Sequence, residues 1–518
     1  MTSFSELSYE QQYAFQKFTE GKNLFITGPG GTGKTKLIKN LVDYAKSRNK
    51  SIQVCALTGC ASLLLGCNAR TIHSWSGIRL GKGTSEEIIR QVMRNKYAKK
   101  NWKMIKILII DEVSMMSKKI FDILEEIARC VRGNFLPFGG IQVICTGDFF
   151  QLPPVSTFSE PETSEFCFES NKWYSVFPLE NHIELKTIFR QNDPKYIEIL
   201  SEVRKGELTN ENIEILQKYV KREYHPENHN GCQLIKLFPV KSRAEYVNKM
   251  MFDRIEEPIH KFNVITMKNC VTYIESGKAL EPEILEKCKN MSKIEIEAEL
   301  ENLTNNIPCS TELELKKGTA VMCCVNLDME RGICNGSQGV IVDFIGESKI
   351  PSVRFSNGIT TTIPIHFWQS EEYPNIAVGQ YPLALAWALT IHKIQGATVD
   401  MAQIDIGQNI FEYGQTYVAL SRIKSLDGLF LSSFHPLRIK SNPKVIEFYK
   451  NMPNLPDIQK IPNPTENKSI TETKTNNTIK QINFEDYVYI NTMTNNVIEN
   501  TMTNNIIENN KNIKIIKL

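Results

Sequence analysis

The sequence GPGGTGKT at residues 28–35 constrains the fold more than any other stretch of this chain. It matches the pattern G-x-x-x-x-G-K-[ST], in which a glycine-rich loop holds the phosphates of a nucleotide. The apolar run LFIT precedes it, and a segment with a helical pattern begins at Lys34. A strand, a glycine-rich loop and a helix in this order predict a phosphate-binding loop inside an α/β domain.

The loop offers both backbone and side-chain groups to the predicted nucleotide. Its glycines let N–H groups turn toward phosphates, and the start of the following helix adds the positive end of its dipole. Lys34 would neutralise the β- and γ-phosphates, while Thr35 would ligate Mg²⁺. An ordinary glycine turn is the alternative, but the flanking strand and helix favour nucleotide binding. The predicted ATP-binding residues of the loop are Gly28, Pro29, Gly30, Gly31, Thr32, Gly33, Lys34 and Thr35.

Alternating strands and helices are predicted for residues 1–180. Apolar runs, each followed by a polar or glycine-containing loop, suit strands buried on both faces of a parallel sheet. Between the last two runs, residues 117–131 carry apolar side chains at helical spacing. This alternation predicts a three-layer α/β domain that binds ligands at the carboxyl ends of its strands. The runs are LFIT (24–27), IQVCAL (52–57), KILIID (106–111) and IQVICTGD (141–148).

Two carboxylates follow the third apolar run, in the sequence IIDEVSMM at residues 109–116. Asp111 would hold Mg²⁺, and Glu112 would polarise the water that attacks the γ-phosphate. An exposed acidic turn is the alternative, and the phosphate-binding loop favours the catalytic interpretation. ATP and Mg²⁺ are therefore the expected cofactors, with Thr35 and Asp111 as the metal ligands.

Three more polar residues are candidates for sensing the γ-phosphate or stabilising its charge. Gln151 lies in GDFFQLPPV (147–155), a proline-stiffened loop after the fourth apolar run. Arg190 and Arg422 lie beyond the first domain, and a guanidinium delivered across a cleft would stabilise the transferring phosphoryl group. A surface ion pair is the alternative for either arginine alone. The predicted catalytic residues are Lys34, Glu112, Gln151, Arg190 and Arg422.

The rest of the chain divides into a second α/β unit, an insertion and a tail. Helix-and-strand character begins near Ile183 and pauses near Phe262. Short β-rich runs broken by glycine turns, between Lys316 and Phe367, predict a small antiparallel barrel. The predicted domains are 1–180 for the first α/β unit, 181–262 with 377–450 for the second, 263–376 for the insertion and 451–518 for a disordered, asparagine-rich tail.

Composition limits the classes of partner and compartment. The chain has 518 residues and a net charge of +3, which is nearly neutral, so any nucleic-acid-binding surface must be local. Its 13 cysteines lack metal-binding spacing and are expected to be reduced thiols. No signal peptide or membrane-spanning run is visible. We expect an intracellular protein with no membrane partner, in the nucleus or the host cytoplasm if the source is a eukaryote or a large DNA virus.

Motifs in a fixed order resemble those of the superfamily-one DNA helicases of the petite integration frequency (PIF) type, relatives of RecD. The resemblance runs from Leu7 to about residue 435. LSYEQ resembles the adenine-sensing motif of this family, which would make Gln11 an ATP-binding residue. The other motifs are TGCASLLLGCNARTIHSW (58–75), IIDEVSMMSKKIFDILEEIAR (109–129), GDFFQLPPV (147–155), FRQ (189–191), LALAWALTIHKIQGATVD (383–400) and YVALSRIKSLDGL (417–429).

The resemblance implies two RecA-like domains with parallel sheets that close on ATP, plus accessory elements. Residues 316–344 resemble the segment around the family's small SH3-like β-barrel, which agrees with the barrel predicted from the β-rich runs. Residues 79–102 take the position of the family's wedge element and are locally basic, although a solvated helix explains them equally well. Residues 263–312 match no pattern of the family.

The resemblance also implies an ATP-dependent enzyme that moves 5′-to-3′ along single-stranded DNA and unwinds forked duplexes, in replication, repair, recombination or telomere maintenance. Such a track needs phosphate contacts and flat side chains on which bases stack. Core packing is the alternative for Trp75. A monomer is expected. The tail is a candidate site for protein partners, and compositional drift in an AT-rich genome is the favoured alternative explanation of its sequence. The candidate DNA-binding residues are Thr58, His73, Trp75, Thr390, His392 and Lys393.

Two other functions are compatible with the sequence. A superfamily-one RNA helicase would share many contacts with its track, because these go to phosphates. A DNA-binding module with a decayed ATPase is the second, and the presence of every predicted catalytic residue argues against it.

Overall fold

The computed structural model describes residues 4–455, apart from positions 59, 60, 63, 64, 66, 68, 80, 156–159, 226–233, 269–285, 287, 326, 329, 334, 335, 371, 372 and 400. Within this part of the chain, no helix combines the length and apolar character needed to cross a membrane. Most of the predicted tail, residues 456–518, lies outside the described residues.

A six-stranded parallel sheet forms the centre of the first domain. Its strands are β1 (Leu24–Thr27), β2 (Ile52–Ala56), β3 (Arg70–Thr71), β4 (Ile107–Asp111), β5 (Gln142–Thr146) and β6 (His182–Glu184). They lie in the order β3-β2-β4-β5-β1-β6. Every residue of β1 and β4 is buried, as expected for strands covered on both faces. The four apolar runs thus form β1, β2, β4 and β5, which confirms their prediction.

Helices cover both faces of this sheet. They are α1 (Tyr9–Thr19), α2 (Lys34–Ser47), α3 (Ile72–Ser76), α4 (Ser85–Arg94), α5 (Lys96–Met104), α6 (Lys118–Arg132) and α7 (Trp173–Val176). Leu24 and Ile26 pack with α1 and α2 on one face, whereas Phe25 packs with α6 on the other. Because neighbouring residues of a strand point to opposite faces, two cores stabilise a three-layer domain.

The segment at 79–102, expected to be wedge-like, forms α4 and most of α5. Ile88 and Val92 of α4 and Trp102 of α5 are buried in the same core as α6. Arg90 and Arg94 are exposed on α4. These helices therefore pack one face against the first domain and keep basic side chains in solvent.

The second half of the chain contains a second parallel sheet and an accessory region. Its helices are α8 (Pro194–Lys205), α9 (Asn210–Lys218), α10 (Lys241–Asp253), α11 (Lys293–Asn306), α12 (Gln415–Leu420) and α13 (Pro443–Lys450). Its strands are β7 (Ile235–Phe238), β8 (His260–Asn263), β9 (Ile265–Met267), β10 (Glu312–Leu315), β11 (Ala320–Cys323), β12 (Gln338–Ile345), β13 (Ile350–Phe355), β14 (Thr360–Thr362), β15 (His366–Gln369), β16 (Ala377–Gln380), β17 (Leu383–Leu385), β18 (Ala388–Thr390), β19 (Ala402–Ile406) and β20 (Leu429–Phe434).

The second domain is built on a four-stranded parallel sheet in the order β18-β7-β19-β20. Its core combines side chains of the sheet with those of α8 and α12, such as Ile404, Ile199 and Val418. Strand β7 precedes the accessory region in the sequence, and the other three strands follow it. This domain is therefore assembled from two separate segments of chain.

The accessory region consists of antiparallel sheets. The largest has the order β14-β13-β12-β11-β17, which leaves β14 and β17 as its edge strands. Val321, Ile341 and Leu383 lie in its core. Antiparallel structure is predicted for this region, but the strands extend from residue 260 to residue 385, beyond the predicted limits of 263–376. The SH3-like form of the barrel stays a prediction.

The helix α13 returns to the first domain. Val445 and Phe448 belong to the core that contains Phe25 and α6. The sequence pattern assigns 377–450 to the second domain, because apolar spacing cannot show which core receives the side chains of a helix. This helix therefore ties the end of the second domain to the first.

Candidate active site

The phosphate-binding loop connects the end of β1 to the start of α2. Gly28 has a φ of +141°, and a Cβ atom there would lie 2.3 Å from the carbonyl oxygen of Leu185, so only glycine fits. Lys34 Nζ donates to the carbonyl oxygens of Gly28 (2.7 Å) and Pro29 (3.0 Å). The loop thus curls around its own lysine at a helix N-terminus, which is the geometry of an anion site.

Burial of its ammonium group makes Lys34 a favourable partner for an anionic ligand. Burial lowers the pKa of Lys34, while the charges of Asp148, Glu112 and Asp111 raise it. Phosphate oxygens in the loop would replace the carbonyl contacts of the lysine with stronger charge-assisted hydrogen bonds. The predicted role of Lys34 is therefore compatible with its surroundings.

The two acidic residues lie at the carboxyl end of β4, next to the loop. Asp111 accepts a hydrogen bond from the hydroxyl of Thr146 on β5, and Glu112 adopts a left-handed backbone with a φ of +56°. Burial, and then the charge of Glu112, raises the pKa of Asp111 to about 6. A divalent cation would relieve this repulsion, and the Asp111 carboxylate and Thr35 hydroxyl are oxygen ligands of the kind that Mg²⁺ prefers. These residues therefore fit a magnesium ion.

Two buried amide oxygens at the cleft have no hydrogen-bond partner among the described residues. One is Oε1 of Gln151, a residue that is only 4% exposed. The other is Oε1 of Gln191, which lies 3.0 Å from the position that a Cβ of Gly31 would take. An unpaired buried acceptor costs about 1–3 kcal/mol. Both atoms would therefore be stabilised by a water molecule or a ligand that donates hydrogen bonds.

A tyrosine and an arginine of the second domain close the cleft, together with Arg190 from the segment between β6 and α8. The Tyr417 hydroxyl accepts a hydrogen bond from Gly30 N–H (2.8 Å), and Arg190 Nη1 donates to the carbonyl oxygen of Ser421 (3.0 Å). Arg422 is only 2% exposed. Burial, and then the charge of Arg190, lowers the pKa of Arg422 to about 9. Two desolvated guanidinium groups that repel each other favour an anion in the cleft.

Gln11 supports the phosphate-binding loop from α1. Its side chain is completely buried, and Nε2 donates to the carbonyl oxygen of Thr32 (3.0 Å). Its Oε1 accepts from the N–H of Ser8 (3.1 Å), which caps the helix. Gln11 therefore fixes the position of the loop, and its contact with adenine stays a prediction.

One group of candidate DNA-binding residues follows β18. Thr390 caps the turn Ile391–Ile394, in which Lys393 is exposed. The ring of His392 lies 6.4 Å from that of Phe411, with only 17° between their planes, and Phe411 is 63% exposed. Flat side chains with open faces suit the stacking of bases.

The other group follows β2. The hydroxyl of Thr58 accepts a hydrogen bond from Ala61 N–H (3.2 Å), and burial lowers the pKa of His73. Trp75 is only 3% exposed and packs against Trp102, with 4.7 Å between ring centroids. This arrangement favours core packing for Trp75 over base stacking. Contacts of Thr58 and His73 with DNA stay predictions.

Three further polar residues lie at the cleft. Gln395 Nε2 donates to Glu112 Oε2 (3.3 Å), and Gln395 directly follows the turn that carries His392. Tyr417 and Gln191 approach the phosphate-binding loop from the other side. The sequence pattern does not single out these three residues, although each lies inside a motif that resembles the family. Only the tertiary contacts distinguish them from their neighbours.

Family models match two parts of the chain. The model described as PIF1-like helicase matches residues 6–214. The model described as DNA helicase Pif1, 2B domain, matches residues 299–344, within the accessory region. The first match contains the phosphate-binding loop, both carboxylates and Gln151.

Similar proteins cover most of the chain. The ATP-dependent DNA helicase PIF1 of Xenopus laevis is 34% identical over 449 residues, which are 86% of this chain and 64% of that protein. The crystal structure of Pif1 helicase from Candida albicans is 32% identical, with a TM-score of 0.69, over 86% of this chain and 99% of that one. Bacteroides Pif1 bound to ssDNA is 28% identical, with a TM-score of 0.59, over 86% of this chain and 96% of that one. The two parallel sheets are those of two RecA-like domains, and the chain belongs to the PIF1-like helicase family.

Proposed function

We propose that this protein is an ATP-dependent DNA helicase that moves 5′-to-3′ along single-stranded DNA and unwinds duplexes. The chain spans 64% of the length of the Xenopus laevis relative that carries this name. The observation that carries the proposal is a nucleotide site built by both RecA-like domains, in which Tyr417 contacts Gly30 and Arg190 approaches the same loop. Because the site is complete only when the domains meet, a change of nucleotide can move one domain relative to the other.

The first domain would bind ATP and activate water. Lys34 pairs with the β- and γ-phosphates in place of the loop carbonyl oxygens. Mg²⁺ bound to Asp111 and Thr35 would neutralise charge on the phosphate oxygens. The Glu112 carboxylate accepts a proton from the attacking water, whose position is fixed by a hydrogen bond to the unpaired Oε1 of Gln151.

The second domain and the segment that leads into it would supply positive charge to the reaction. Arg190 and Arg422 stabilise the negative charge on the transferring phosphoryl group. Both guanidinium groups are desolvated, and burial is the main cause that lowers the pKa of each. A phosphate group between the domains would remove this penalty, so ATP favours the closed arrangement.

The contact of Gln395 with Glu112 offers a route from DNA to the ATP site. Gln395 follows the turn that carries His392 and Lys393, two candidate DNA-binding residues. A strand bound to this turn would fix Gln395 and thereby the carboxylate of Glu112. DNA would then stimulate hydrolysis by ordering the residue that activates water.

DNA is the proposed track because a similar protein is named a DNA helicase and a similar structure contains ssDNA. Forked DNA is the proposed substrate, and replication, repair, recombination or telomere maintenance is the proposed setting. A monomer in the nucleus or host cytoplasm, with partners bound through residues 451–518, stays a prediction from the sequence. A decayed ATPase is disfavoured because the predicted catalytic residues all lie at the cleft.

Two variants test the proposed ATPase. Lys34→Ala and Glu112→Gln should each lower the DNA-stimulated ATPase rate by about 100-fold or more, since each removes a group that acts on the transition state. Binding of a fluorescent single-stranded oligonucleotide should be retained. Lys39→Ala, which changes an exposed lysine on α2, is the matched control and should keep the wild-type rate. Wild-type protein without DNA-stimulated ATPase, or loss of DNA binding in both variants, would contradict the proposal.

A further inference from the structure

A buried junction near the ATP site joins both domains and the last described helix. We define the Asp148 junction as Asp148, Arg204 of α8 and Tyr449 of α13. Asp148 is completely buried and Arg204 is 7% exposed. None of the three belongs to the predicted catalytic, ATP-binding or DNA-binding residues, although Asp148 lies only three positions before Gln151.

Tyr449 reaches the junction because α13 is anchored beside it. The ring of Phe448 stacks on Phe168 (4.4 Å between centroids) and meets Phe149 edge-on (5.4 Å). Val445, one turn earlier, is completely buried. This packing fixes the end of the helix, so that the Tyr449 side chain lies at the carboxyl ends of the neighbouring strands β1 and β5.

The Tyr449 hydroxyl connects the phosphate-binding loop to the loop of Gln151. It is hydrogen-bonded to the hydroxyl of Thr27, the residue directly before Gly28. It also accepts from Phe149 N–H (3.3 Å) and lies 3.4 Å from Asp148 Oδ1, to which it can donate. One hydroxyl group thus contacts both the residue that precedes the phosphate-binding loop and the start of the loop that carries Gln151.

Arg204 brings the second domain to the same carboxylate. Its Nη2 donates to Asp148 Oδ1 (2.9 Å), and its Nε donates to Oδ2 (3.1 Å). The guanidinium also lies over the rings of Phe150 (4.5 Å) and Tyr449 (5.2 Å). Two parallel hydrogen bonds to one carboxylate fix orientation as well as distance. Separation of the domains would break this pair and leave the Asp148 charge buried without its partner.

Asp148 in turn shapes the segment that carries Gln151. Its carbonyl oxygen accepts from Gln151 N–H (2.8 Å), and its Oδ1 accepts from Phe150 N–H (3.3 Å). The same carboxylate therefore holds the turn, pairs with Arg204 and contacts Tyr449. A displacement of either partner would be transmitted to the turn through Asp148.

We propose that Arg204 and Tyr449 are positioning residues for ATP hydrolysis. Acting through Asp148, they hold Gln151 in a fixed position relative to the phosphate-binding loop when the domains are closed. This inference rests on the proposed ATPase function and extends it to α13. A purely structural junction would affect stability alone. A positioning junction affects the rate of the chemical step in protein that is fully folded and still binds ATP.

The variant Tyr449→Phe isolates the hydroxyl, because it keeps the ring that contacts Phe150 and Arg204. We expect kcat of the DNA-stimulated ATPase to fall by about 10-fold, as for the loss of one hydrogen bond to a charged group. KM for ATP should stay close to that of wild-type protein. The lost hydrogen bonds should lower the melting temperature by only a few degrees, so that the variant remains folded at the assay temperature. Tyr174→Phe, which changes a 49% exposed tyrosine on α7, is the control for hydroxyl loss and should leave kcat unchanged.

A second variant tests the contact of Arg204 with Asp148. Arg204→Lys keeps the positive charge but cannot form the two parallel hydrogen bonds, so kcat should fall again with little change in KM. A wild-type kcat in folded Tyr449→Phe would overturn the inference, as would a loss of activity fully explained by a lowered melting temperature. Wild-type protein without any ATPase activity would overturn the proposed function itself, and the inference with it.

Discussion

Gly414 of the second domain lies directly against the loop of Gln151. It precedes α12, has a φ of +70°, and a Cβ atom there would lie 2.3 Å from the carbonyl oxygen of Phe150 and 2.6 Å from that of Gln151. Ordinary contacts begin at 3.4 Å, so Gly414→Ala would force a displacement of about 1 Å between α12 and the loop. The same helix carries Tyr417 and leads to Arg422.

Gly414→Ala should have two effects, one on the free energy of unfolding and one on the rate of hydrolysis, which can be measured separately. Alanine in a left-handed conformation costs about 1–2 kcal/mol wherever it occurs. Gly21→Ala measures this cost alone, because Gly21 has a φ of +80° and no atom lies within 4 Å of its Cβ position. The displacement is specific to Gly414, and a misplacement of 1 Å at a catalytic site can cost about 100-fold in rate.

Urea denaturation and steady-state ATPase assays with saturating single-stranded DNA measure both effects. Gly21→Ala should lower the free energy of unfolding by about 1 kcal/mol and leave kcat unchanged. Gly414→Ala should lower kcat by about 100-fold in protein that remains folded at the assay temperature. If the two variants had the same kcat, the contact of α12 with the Gln151 loop would not be needed for hydrolysis, and the two-domain site would be refuted.

Four other perturbations have defined outcomes. Gln395→Ala removes the contact with Glu112, so the stimulation of ATPase by DNA should fall about 10-fold while DNA affinity, measured by anisotropy, is retained. Deletion of 456–518 should leave unwinding of a tailed duplex unchanged, whereas deletion of 443–518 should reduce it by removing α13. Burial lowers the pKa of His182 to about 4, below its ordinary value of 6.5, so the unfolded chain binds more protons between these values and the protein loses stability as pH falls from 6.5 to 4. Urea denaturation should show that the stability advantage of wild-type protein over His182→Gln shrinks across this range by up to about 3 kcal/mol, and a constant difference would contradict a buried neutral histidine.

Local pattern was sufficient to predict the centre of the first domain. The run LFIT forms β1 without error in its limits, and residues 117–131 correspond to α6 with a shift of one residue. The strand is buried on both faces and appears as a continuous apolar run. The helix is buried along one stripe and shows apolar residues at helical spacing. The phosphate-binding loop, with a strand and a helix at its ends, is predictable for the same reason.

Contacts between distant segments could not be predicted in this way. Phe448 packs beside Phe25, and the Tyr449 hydroxyl reaches Thr27, across more than four hundred residues. Apolar spacing does not show which of the two cores receives the helix α13. Trp75 is a similar case, since an aromatic residue in a DNA-binding motif and one in a core look alike until Trp102 is placed against it.

The most direct test of the account is an unwinding assay with four duplexes that carry a 5′ or a 3′ single-stranded tail, each made of DNA or of RNA. We expect ATP-dependent unwinding of the 5′-tailed DNA duplex, little unwinding of the 3′-tailed one, and weaker activity on either RNA substrate. Protein carrying Glu112→Gln should unwind none of them. Preference for a 3′ tail, or activity on RNA equal to or above that on DNA, would contradict the central claim that ATP hydrolysis between the two domains drives 5′-to-3′ movement along DNA.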